Sequence, residues 1–118
     1  MLIEKIILDH LNAVLPEGAL ISEPVNKNPK SGSFVVIEKT GTQQTDWLYT
    51  ATVAVQSYAP TLYQAAELDQ RARNAMFALP DSSEYVTGVH LIGGSNFTDP
   101  STRQPRYQAV FDVNFYEE

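Results

Sequence analysis

The chain contains no cysteine in its 118 residues. This absence excludes disulfide bonds, thiolate nucleophiles and zinc sites with cysteine ligands, and it is consistent with folding in a reducing cytoplasm. Imidazole is also scarce, because His10 and His90 are the only two histidines. Neither has a second His, Asp or Glu at ligand spacing nearby, so ordinary packing or surface placement is expected for both. The sequence therefore predicts no catalytic residue, no metal site and no cofactor.

Positive charge is also in short supply. Eight Lys and Arg residues stand against 14 Asp and Glu residues, giving a formal net charge of −6 and a pI near 4.8. Proteins that grip nucleic acid need clustered Lys and Arg to displace counterions from phosphates. The basic residues here are scattered, which argues against sequence-specific nucleic-acid binding.

Long hydrophobic runs are missing as well. The longest apolar runs are only a few residues, and the N-terminal MLIEK lacks a basic region followed by a long apolar one. Neither a membrane span nor a signal peptide is therefore predicted, and no membrane partner is expected. The remaining composition, 43% hydrophobic and 19% charged, is typical of a folded protein. We expect one domain over residues 1–118 with one core.

Helical spacing marks the start of the chain. Its apolar positions are Leu2, Ile3, Ile6, Ile7, Leu11, Val14 and Leu15. Pro16 and Gly18 then stop the pattern, which predicts an amphipathic first helix. Residues 19–22 read as a short edge strand, and the polar, proline-containing residues 22–33 as a surface loop.

A hairpin is predicted next. Residues 34–39 and 47–58 have strand composition, and residues 40–46 (TGTQQTD) are interpreted as a turn-rich connection. The two-residue period places one apolar set on a single face of the second strand: Trp47, Tyr49, Ala51, Val53 and Val55. The opposite face is only half polar and leaves room for a partner.

The second helix has a clear start. Thr61 and Gln64 match a capping box, in which the hydroxyl accepts the Gln64 N–H and the amide reaches back to the cap. We predict a helix over residues 61–79 that Pro80 ends. Ion pairs four residues apart are expected within it, Glu67 with Arg71 and Asp69 with Arg73.

Two further strands, at residues 85–92 and 107–116, complete the predicted fold. The last strand alternates Tyr107, Ala109, Phe111, Val113 and Phe115 with more polar residues, typical of a sheet covered on one side. The prediction is an α+β fold: a mixed or antiparallel sheet of four to five strands with two helices packed on one face, in the order α-β-β-β-α-β-β. Residues 93–106 form the long polar connection.

Catalytic and phosphate-binding motifs are hard to find. Residues 93–96 (GGSN) match no phosphate-binding pattern, and a turn or strand bulge is expected there. Ser82 and Ser83, with the acidic Asp81 and Glu84, offer a nucleophile and a base, yet no histidine stands at a related spacing. A solvent-exposed polar loop is the simpler explanation for these four residues. Asp99, Arg103 and Arg106 concentrate opposite charges on one long segment, which fits either an interface or a solvated loop.

Several segments together resemble the tail terminator, or tail completion, proteins of long-tailed bacteriophages and prophages. The similarity covers the chain from Phe34 onward, in FVVIEKTG, AVQSYAPT, LYQAAELDQRARNAMFAL and NFTDPSTRQPRYQAVFDVNF, and the first helix also fits. Its most telling parts are Gln56-Ser57-Tyr58 before the helix, Asp99-Pro100, and Arg106-Tyr107-Gln108 opening the last strand. The motifs form a patterned combination and contain no catalytic signature.

The resemblance implies a structural minor tail protein of the virion, assembled in the host cytoplasm, with no enzymatic activity. Such a subunit forms a homo-hexameric ring that caps the head-proximal end of the tail tube, stops polymerisation and offers a surface to the head–tail connector. Six copies at −6 each would carry −36, and an inward-facing acidic surface would repel passing DNA.

Ring contacts are expected from the sheet edges and from the helix at residues 61–79. Contacts to the tube or the connector are expected from the loops at residues 22–33, 40–46 and 93–106. The candidate interface residues are Asn96, Asp99, Arg103, Arg106, Lys27 and Lys30. Two alternatives stay open at this point: a head-closure or connector protein of the same virion, and a small-molecule-binding or enzymatic α+β domain.

Overall fold

A computed structural model describes residues 2–21, 32–96, 98 and 105–116. The predicted order of elements is confirmed, with one short helix added after the second. The elements are α1 (Ile3–Val14), β1 (Ala19–Ile21), β2 (Phe34–Thr45), β3 (Leu48–Tyr58), α2 (Leu62–Phe77), α3 (Leu79–Ser82), β4 (Val86–Asn96) and β5 (Arg106–Tyr116).

All five strands belong to one mixed sheet. Their order across the sheet is β1-β2-β3-β5-β4, with β1 parallel to β2 and every other pair antiparallel. The predicted α+β fold class is therefore confirmed. Among the described residues, no helix has the length and hydropathy needed to cross a bilayer.

One face of the sheet carries the core. Ile7 and Leu11 of α1 and Leu68 and Met76 of α2 are fully buried against Phe111 and its neighbours on the central strands. Burying large apolar side chains of this kind contributes about 1.5–3 kcal/mol each to folding. The apolar sides of α1 and α2, predicted from the helical spacing of the sequence, therefore face the sheet.

The hairpin differs from its prediction. Residues 40–45 are not a connection, because β2 continues through Thr45 and pairs with β3 as far as Thr45 opposite Leu48. The turn is only Asp46-Trp47, with Asp46 in the left-handed region at φ 57°, which Asp tolerates better than most residues. Its backbone oxygen accepts a hydrogen bond from Gln44 Nε2 at 2.7 Å. Residues 40–45 are exposed on both faces of the hairpin. Their sequence therefore has no alternation of apolar and polar residues from which a strand could be predicted.

The proline in the second helical region also behaves differently from its prediction. The helix α2 ends at Phe77, and Pro80 is the second residue of α3 and does not terminate a helix. A first-turn position has no intrahelical use for the N–H that proline lacks. The capping of α2 is confirmed in one half, since Thr61 Oγ1 accepts the Gln64 N–H at 3.2 Å. The Gln64 side chain bonds that same hydroxyl and not the backbone of Thr61.

The fourth strand is longer than predicted. It runs to Asn96, so residues 93–96 are strand and not part of the connection. A turn or bulge was expected at residues 93–96, and the register shift lies immediately before them, between Leu91 and Gly93. A Cβ on Gly94 would lie 3.1 Å from the backbone oxygen of Gln108, so the close approach of β5 explains a glycine there.

One of the two predicted ion pairs has a different partner. Asp69 and Arg73 are in contact at 3.1 Å, as expected, but Arg71 binds Glu17 with two hydrogen bonds, one of 2.9 Å. The Arg71 hydrogen bonds hold the pKa of Glu17 below its usual range. This bidentate contact ties the segment between α1 and β1 to α2, a tertiary link that a spacing rule within one helix does not contain.

We expect Glu17→Gln to lower the free energy of unfolding by about 0.5–1 kcal/mol at pH 7, as for a well-formed surface ion pair. A carboxylate with a lowered folded-state pKa stabilises above its unfolded pKa, and the stability is lost as the pH falls through the folded value. The difference between wild type and variant should therefore shrink on acidification below about pH 4.5. Urea unfolding at several pH values measures it. Glu67→Gln is the matched control, and an equal loss there would contradict the assignment.

Candidate interaction surface

The helices leave the other face of the sheet uncovered by any described element. We call this the open face. On the central strands it comprises Thr50, Thr52, Ala54, Gln56 and Tyr58 of β3 and Arg106, Gln108, Val110, Asp112 and Asn114 of β5. Most of these side chains are half-buried, because neighbours across the strands shield one another. The prediction of a half-polar second face on β3 is therefore confirmed.

Hydrogen bonds join the side chains of the open face across the two strands. Thr50 Oγ1 donates to Asn114 Oδ1 at 2.8 Å, and Thr52 Oγ1 donates to Asp112 Oδ1 at 2.8 Å. Further along the same strands, Gln56 Nε2 donates to Gln108 Oε1 at 3.0 Å. Each pair is directly opposite in register, where polar cross-strand pairs contribute about 0.2–1 kcal/mol. The result is an ordered surface of hydroxyls and amides with little charge.

One end of this face is built around Tyr58. Its hydroxyl accepts a hydrogen bond from Arg106 Nη1 at 2.8 Å and donates to Gln56 Oε1 at 3.1 Å. The Arg106 guanidinium also lies 5.4 Å from the centre of the Tyr58 ring, and Phe34 stacks on that ring with centroids 4.6 Å apart. Arg106 is the first residue of β5 and so belongs to a strand, where the sequence had placed it in the connection. It is held by Tyr58.

Another candidate interface residue lies at the same end of the sheet. Asn96 closes β4, is exposed, and accepts hydrogen bonds from the backbone N–H and the hydroxyl of Thr98. That hydroxyl in turn accepts the Arg106 N–H at 3.3 Å. The structure therefore brings Asn96 and Arg106 together through Thr98. Asp99, Arg103, Lys27 and Lys30 lie outside the described residues.

Sequence reasoning missed an aromatic residue at the hairpin turn. Trp47 was expected to share one face of the second strand with Tyr49 and Ala51, but it lies in the turn with 79% of its surface exposed. Leu48 beside it is exposed too. The turn occupies Asp46 and Trp47, so β3 begins at Leu48 and not at Trp47. Trp47 is therefore outside the strand and does not follow its alternation of faces. Exposed tryptophans are over-represented among the anchors of protein interfaces.

Besides the outer side of the three-residue β1, the sheet has two long unpaired margins within the part of the chain that the structure describes. On one side β4 pairs only with β5, and on the other β2 beyond Ile37 pairs only with β3. Unpaired strand edges present rows of backbone N–H and C=O groups that can pair with another chain. Both margins are thus chemically able to accept a strand.

A serine and a histidine meet on the helical side. His10 Nδ1 lies 2.9 Å from Ser82 Oγ, and His10 Nε2 lies 2.7 Å from the backbone oxygen of Ala75. The sequence offered Ser82 no histidine partner, since 72 residues separate the two and only the packing of α1 against α3 joins them. The contact between Ser82 and His10 joins α3 to α1. Ser82 Oγ also donates to the Leu79 oxygen within α3, at 3.1 Å.

The surroundings of this pair form an open surface depression. Its walls include Asp9, Glu84 and Tyr85 beside the two residues. When Nε2–H bonds the Ala75 oxygen, Nδ1 is an acceptor, but the single proton of the Ser82 hydroxyl is then shared between His10 Nδ1 and the Leu79 oxygen. The serine is therefore not committed to the histidine as a nucleophile is to its base. No group of three or more metal-binding side chains occurs in the described ranges.

The helix α2 carries a buried carboxylate, Asp69. Asp69 is almost fully buried, and loss of hydration raises its pKa although Arg73 acts in the opposite direction. Its Oδ1 atom has no hydrogen-bond partner among the described residues. A carboxylate in this position is a cost to folding at neutral pH, and its pairing with Arg73 limits that cost.

Comparisons with known proteins find distant similarity among solved structures. No family model matches the sequence, and no curated protein matches it. Among solved structures, the chain is similar to a chain of the virion of a native gene transfer agent particle, at 14% sequence identity and a TM-score of 0.46. The similarity spans 91% of this chain and 84% of that chain. At this identity and TM-score it carries no argument about function.

We expect Tyr58→Phe to lower the free energy of unfolding by about 1–2 kcal/mol, because it removes a hydrogen bond to a charged group and one to an amide while leaving the stacked ring in place. Tyr63→Phe, at a residue with 76% exposure, is the matched control and should change stability by about 0.5 kcal/mol or less. Urea unfolding of both variants gives the comparison. Equal losses would mean that the Tyr58 hydroxyl contributes nothing specific.

Proposed function

We propose that this chain is a structural subunit of a phage-like virion, of the tail terminator type, that forms a ring on the head-proximal end of the tail tube. One observation carries the proposal. The two short motifs on which the resemblance depends most, Gln56-Ser57-Tyr58 and Arg106-Tyr107-Gln108, are paired residue for residue on adjacent strands. Segments 50 positions apart in sequence thus form one surface patch, joined by the Gln56–Gln108 and Tyr58–Arg106 hydrogen bonds.

The architecture supports this proposal because a ring subunit needs two different contact surfaces. A contact that repeats by rotation uses one patch of a subunit against another patch of the next. The margins at β2 and β4 lie on opposite sides of one sheet. The exposed Trp47 adds an apolar anchor at the hairpin turn.

Charge distribution refines the idea of an acidic channel. The chain carries −6, yet the open face on β3 and β5 has a single carboxylate, Asp112, and a single guanidinium, Arg106, among amides, hydroxyls and apolar groups. If this face lines the ring, DNA would pass along a nearly neutral hydrogen-bonded surface with little attraction for phosphate. The acidic residues would then contribute through the overall field of the ring.

Contacts to neighbouring virion proteins are assigned to the end of the sheet that holds Asn96 and Arg106. Asn96 offers an exposed amide there, and the Arg106 N–H bonds Thr98. Asp99 and Arg103 belong to the same proposed contact region. Lys27 and Lys30 belong to the other long polar segment proposed to contact the tube or the connector. The expected partners are a second copy of this chain, the tail tube protein and the head–tail connector protein.

The deciding experiment measures assembly and tube binding together. Native mass spectrometry of the protein with and without isolated tail tubes gives its mass, and negative-stain microscopy shows the tube ends. A ring, or a monomer recruited as a cap on one end of the tube, is the expected result. A monomer that ignores tubes and copurifies with heads would instead favour the head-closure or connector function.

We expect Arg103→Glu to abolish tube capping while leaving the free energy of unfolding within about 0.5 kcal/mol of wild type, since reversing a charge at an interface mainly changes association. Lys5→Glu on α1, which reverses an exposed cation, is the control and should still cap tubes. Normal caps from the Arg103 variant would remove residues 97–105 from the contact surface.

One observation favours a second candidate function, a small-molecule site in the depression beside His10 and Ser82. A ligand specific to the folded state stabilises it by mass action. A thermal-shift screen that finds a large saturable stabilisation, lost in Ser82→Ala, would support it. Capping of tubes by Ser82→Ala would show that the depression is not needed for assembly.

A further inference from the structure

We propose that the outer edge of β4 in one copy pairs, antiparallel, with the outer edge of β2 at residues 40–45 in a second copy, so that the sheet continues from subunit to subunit. The inference deepens the proposed ring and rests on it for the number of copies. It specifies a contact that the resemblance does not: which two edges meet and in which direction.

The first edge is β4, Val86–Asn96. None of its 11 residues is Lys, Arg, Asp, Glu or Pro, and its outer side has no strand partner among the residues that the structure places. Natural edge strands are usually protected by charge, proline or brevity, because an open edge invites other chains. Here Leu91 and Ile92 are both substantially exposed in the middle of the strand. A long, uncharged edge with exposed aliphatic residues fits a surface that is paired in the assembled state.

The second edge is the distal half of β2. The three-residue β1 covers β2 only from Val35 to Ile37, and beyond that no described strand pairs with its outer side. The first free residues are Glu38 and Lys39, and Lys39 is held by Glu4 at 3.4 Å. The following residues 40–45, TGTQQT, carry no charge. This free segment ends at the turn that exposes Trp47 and Leu48, so apolar side chains are available at its end.

Strand directions make the two edges compatible. β2 is antiparallel to β3, β3 to β5, and β5 to β4, so β4 runs opposite to β2 within one subunit. In a ring whose rotation axis is parallel to the strands, β2 has the same direction in every copy, and β4 has the opposite direction in every copy. The β4 edge of one copy then meets the β2 edge of the next with opposite strand directions. The contact is therefore antiparallel, and antiparallel pairing is slightly the more stable arrangement per residue.

A second copy is the occupant that accounts for both margins. Pairing of β4 with β4 about a twofold axis would satisfy one edge, leave residues 40–45 and Trp47 uncovered, and stop at a dimer. Pairing of β4 with β2 satisfies both edges in every copy and closes into a ring when the rotation between copies divides a full turn.

Engineered cysteines test the pairing directly because the chain has none of its own. Each cysteine pair must lie on one face of the sheet, because only side chains on the same face can meet across two paired strands. Thr42→Cys protein is mixed with Leu91→Cys protein for the face that the helices cover, and Gln43→Cys protein is mixed with His90→Cys or Ser95→Cys protein for the open face. Each mixture is oxidised at millimolar concentration and again on tail tubes, and run on non-reducing gels. Mixed dimers are expected, and so are ladders up to the ring size from a double variant that carries Thr42→Cys and Leu91→Cys in one chain.

Each alternative outcome is distinct. Dimers from Leu91→Cys protein alone, without mixed dimers, would replace the proposal with a twofold β4 contact. Absence of mixed dimers at all three β4 positions, both free and on tubes, would refute the β4–β2 seam. Val14→Cys, on α1 and outside the proposed contact, is the control for disulfides formed by random collision. Val14 is exposed and apolar, as Leu91 and Ile92 of β4 are.

A charge placed on the edge gives an independent measure. Ile92→Lys, at a residue 56% exposed, should raise the concentration needed for assembly at least about tenfold, since a lysine would be buried in the seam. Val14→Lys, at 50% exposure, should assemble like wild type. Both variants should unfold at the wild-type temperature, and unchanged assembly of Ile92→Lys would count against the seam.

The two proposals can fail separately. Mixed dimers without binding to tubes would keep the β4–β2 seam and reject the tail terminator function. Caps on tube ends without mixed dimers would keep the function and reject the seam.

Discussion

The uninterrupted pairing of β3 with β5 is the constraint on which the rest of this structure depends. Eleven residues of β3 face eleven of β5 without a register shift, whereas the pairings of β2 and β4 each contain bulges. Because side chains alternate with a period of two, a slip of β5 by one residue along β3 would move Phe111 to the open face while Val53 stayed in the core. This single register therefore determines both what the helices cover and what remains for a partner.

The irregularities occur where they disturb least. A bulge in a central strand would break the hydrogen bonds on both of its sides, but a bulge in β2 or β4 disturbs the one ladder that the strand forms over most of its length. The margins can consequently bend and expose Ile92, while the centre stays regular enough to support the Tyr58–Arg106 and Gln56–Gln108 hydrogen bonds. A rigid centre with adaptable edges suits a subunit that adds strands from neighbours.

Local chemistry was enough to predict some elements. The apolar period of α1, the Thr61 cap of α2 and the alternation in β5 all correspond to the structure, because each is a preference of contiguous residues. Predictions failed where a distant partner decided the outcome. Residues 40–45 become strand because β3 lies beside them, and Arg71 turns to Glu17 because the end of α1 packs nearby. The prediction that Pro80 ends a helix was wrong because proline is equally compatible with the first turn of a new helix.

By itself, the sequence determined the composition of the two sheet faces, the five strands and two long helices, and the absence of cysteine chemistry. These follow from side-chain period, capping and residue content, which need no knowledge of neighbours. The tertiary structure alone decided that Gln56-Ser57-Tyr58 lies beside Arg106-Tyr107-Gln108, that His10 meets Ser82, and which strand edges remain open. Those relations are set by strand order and helix packing, which join residues that no local pattern connects.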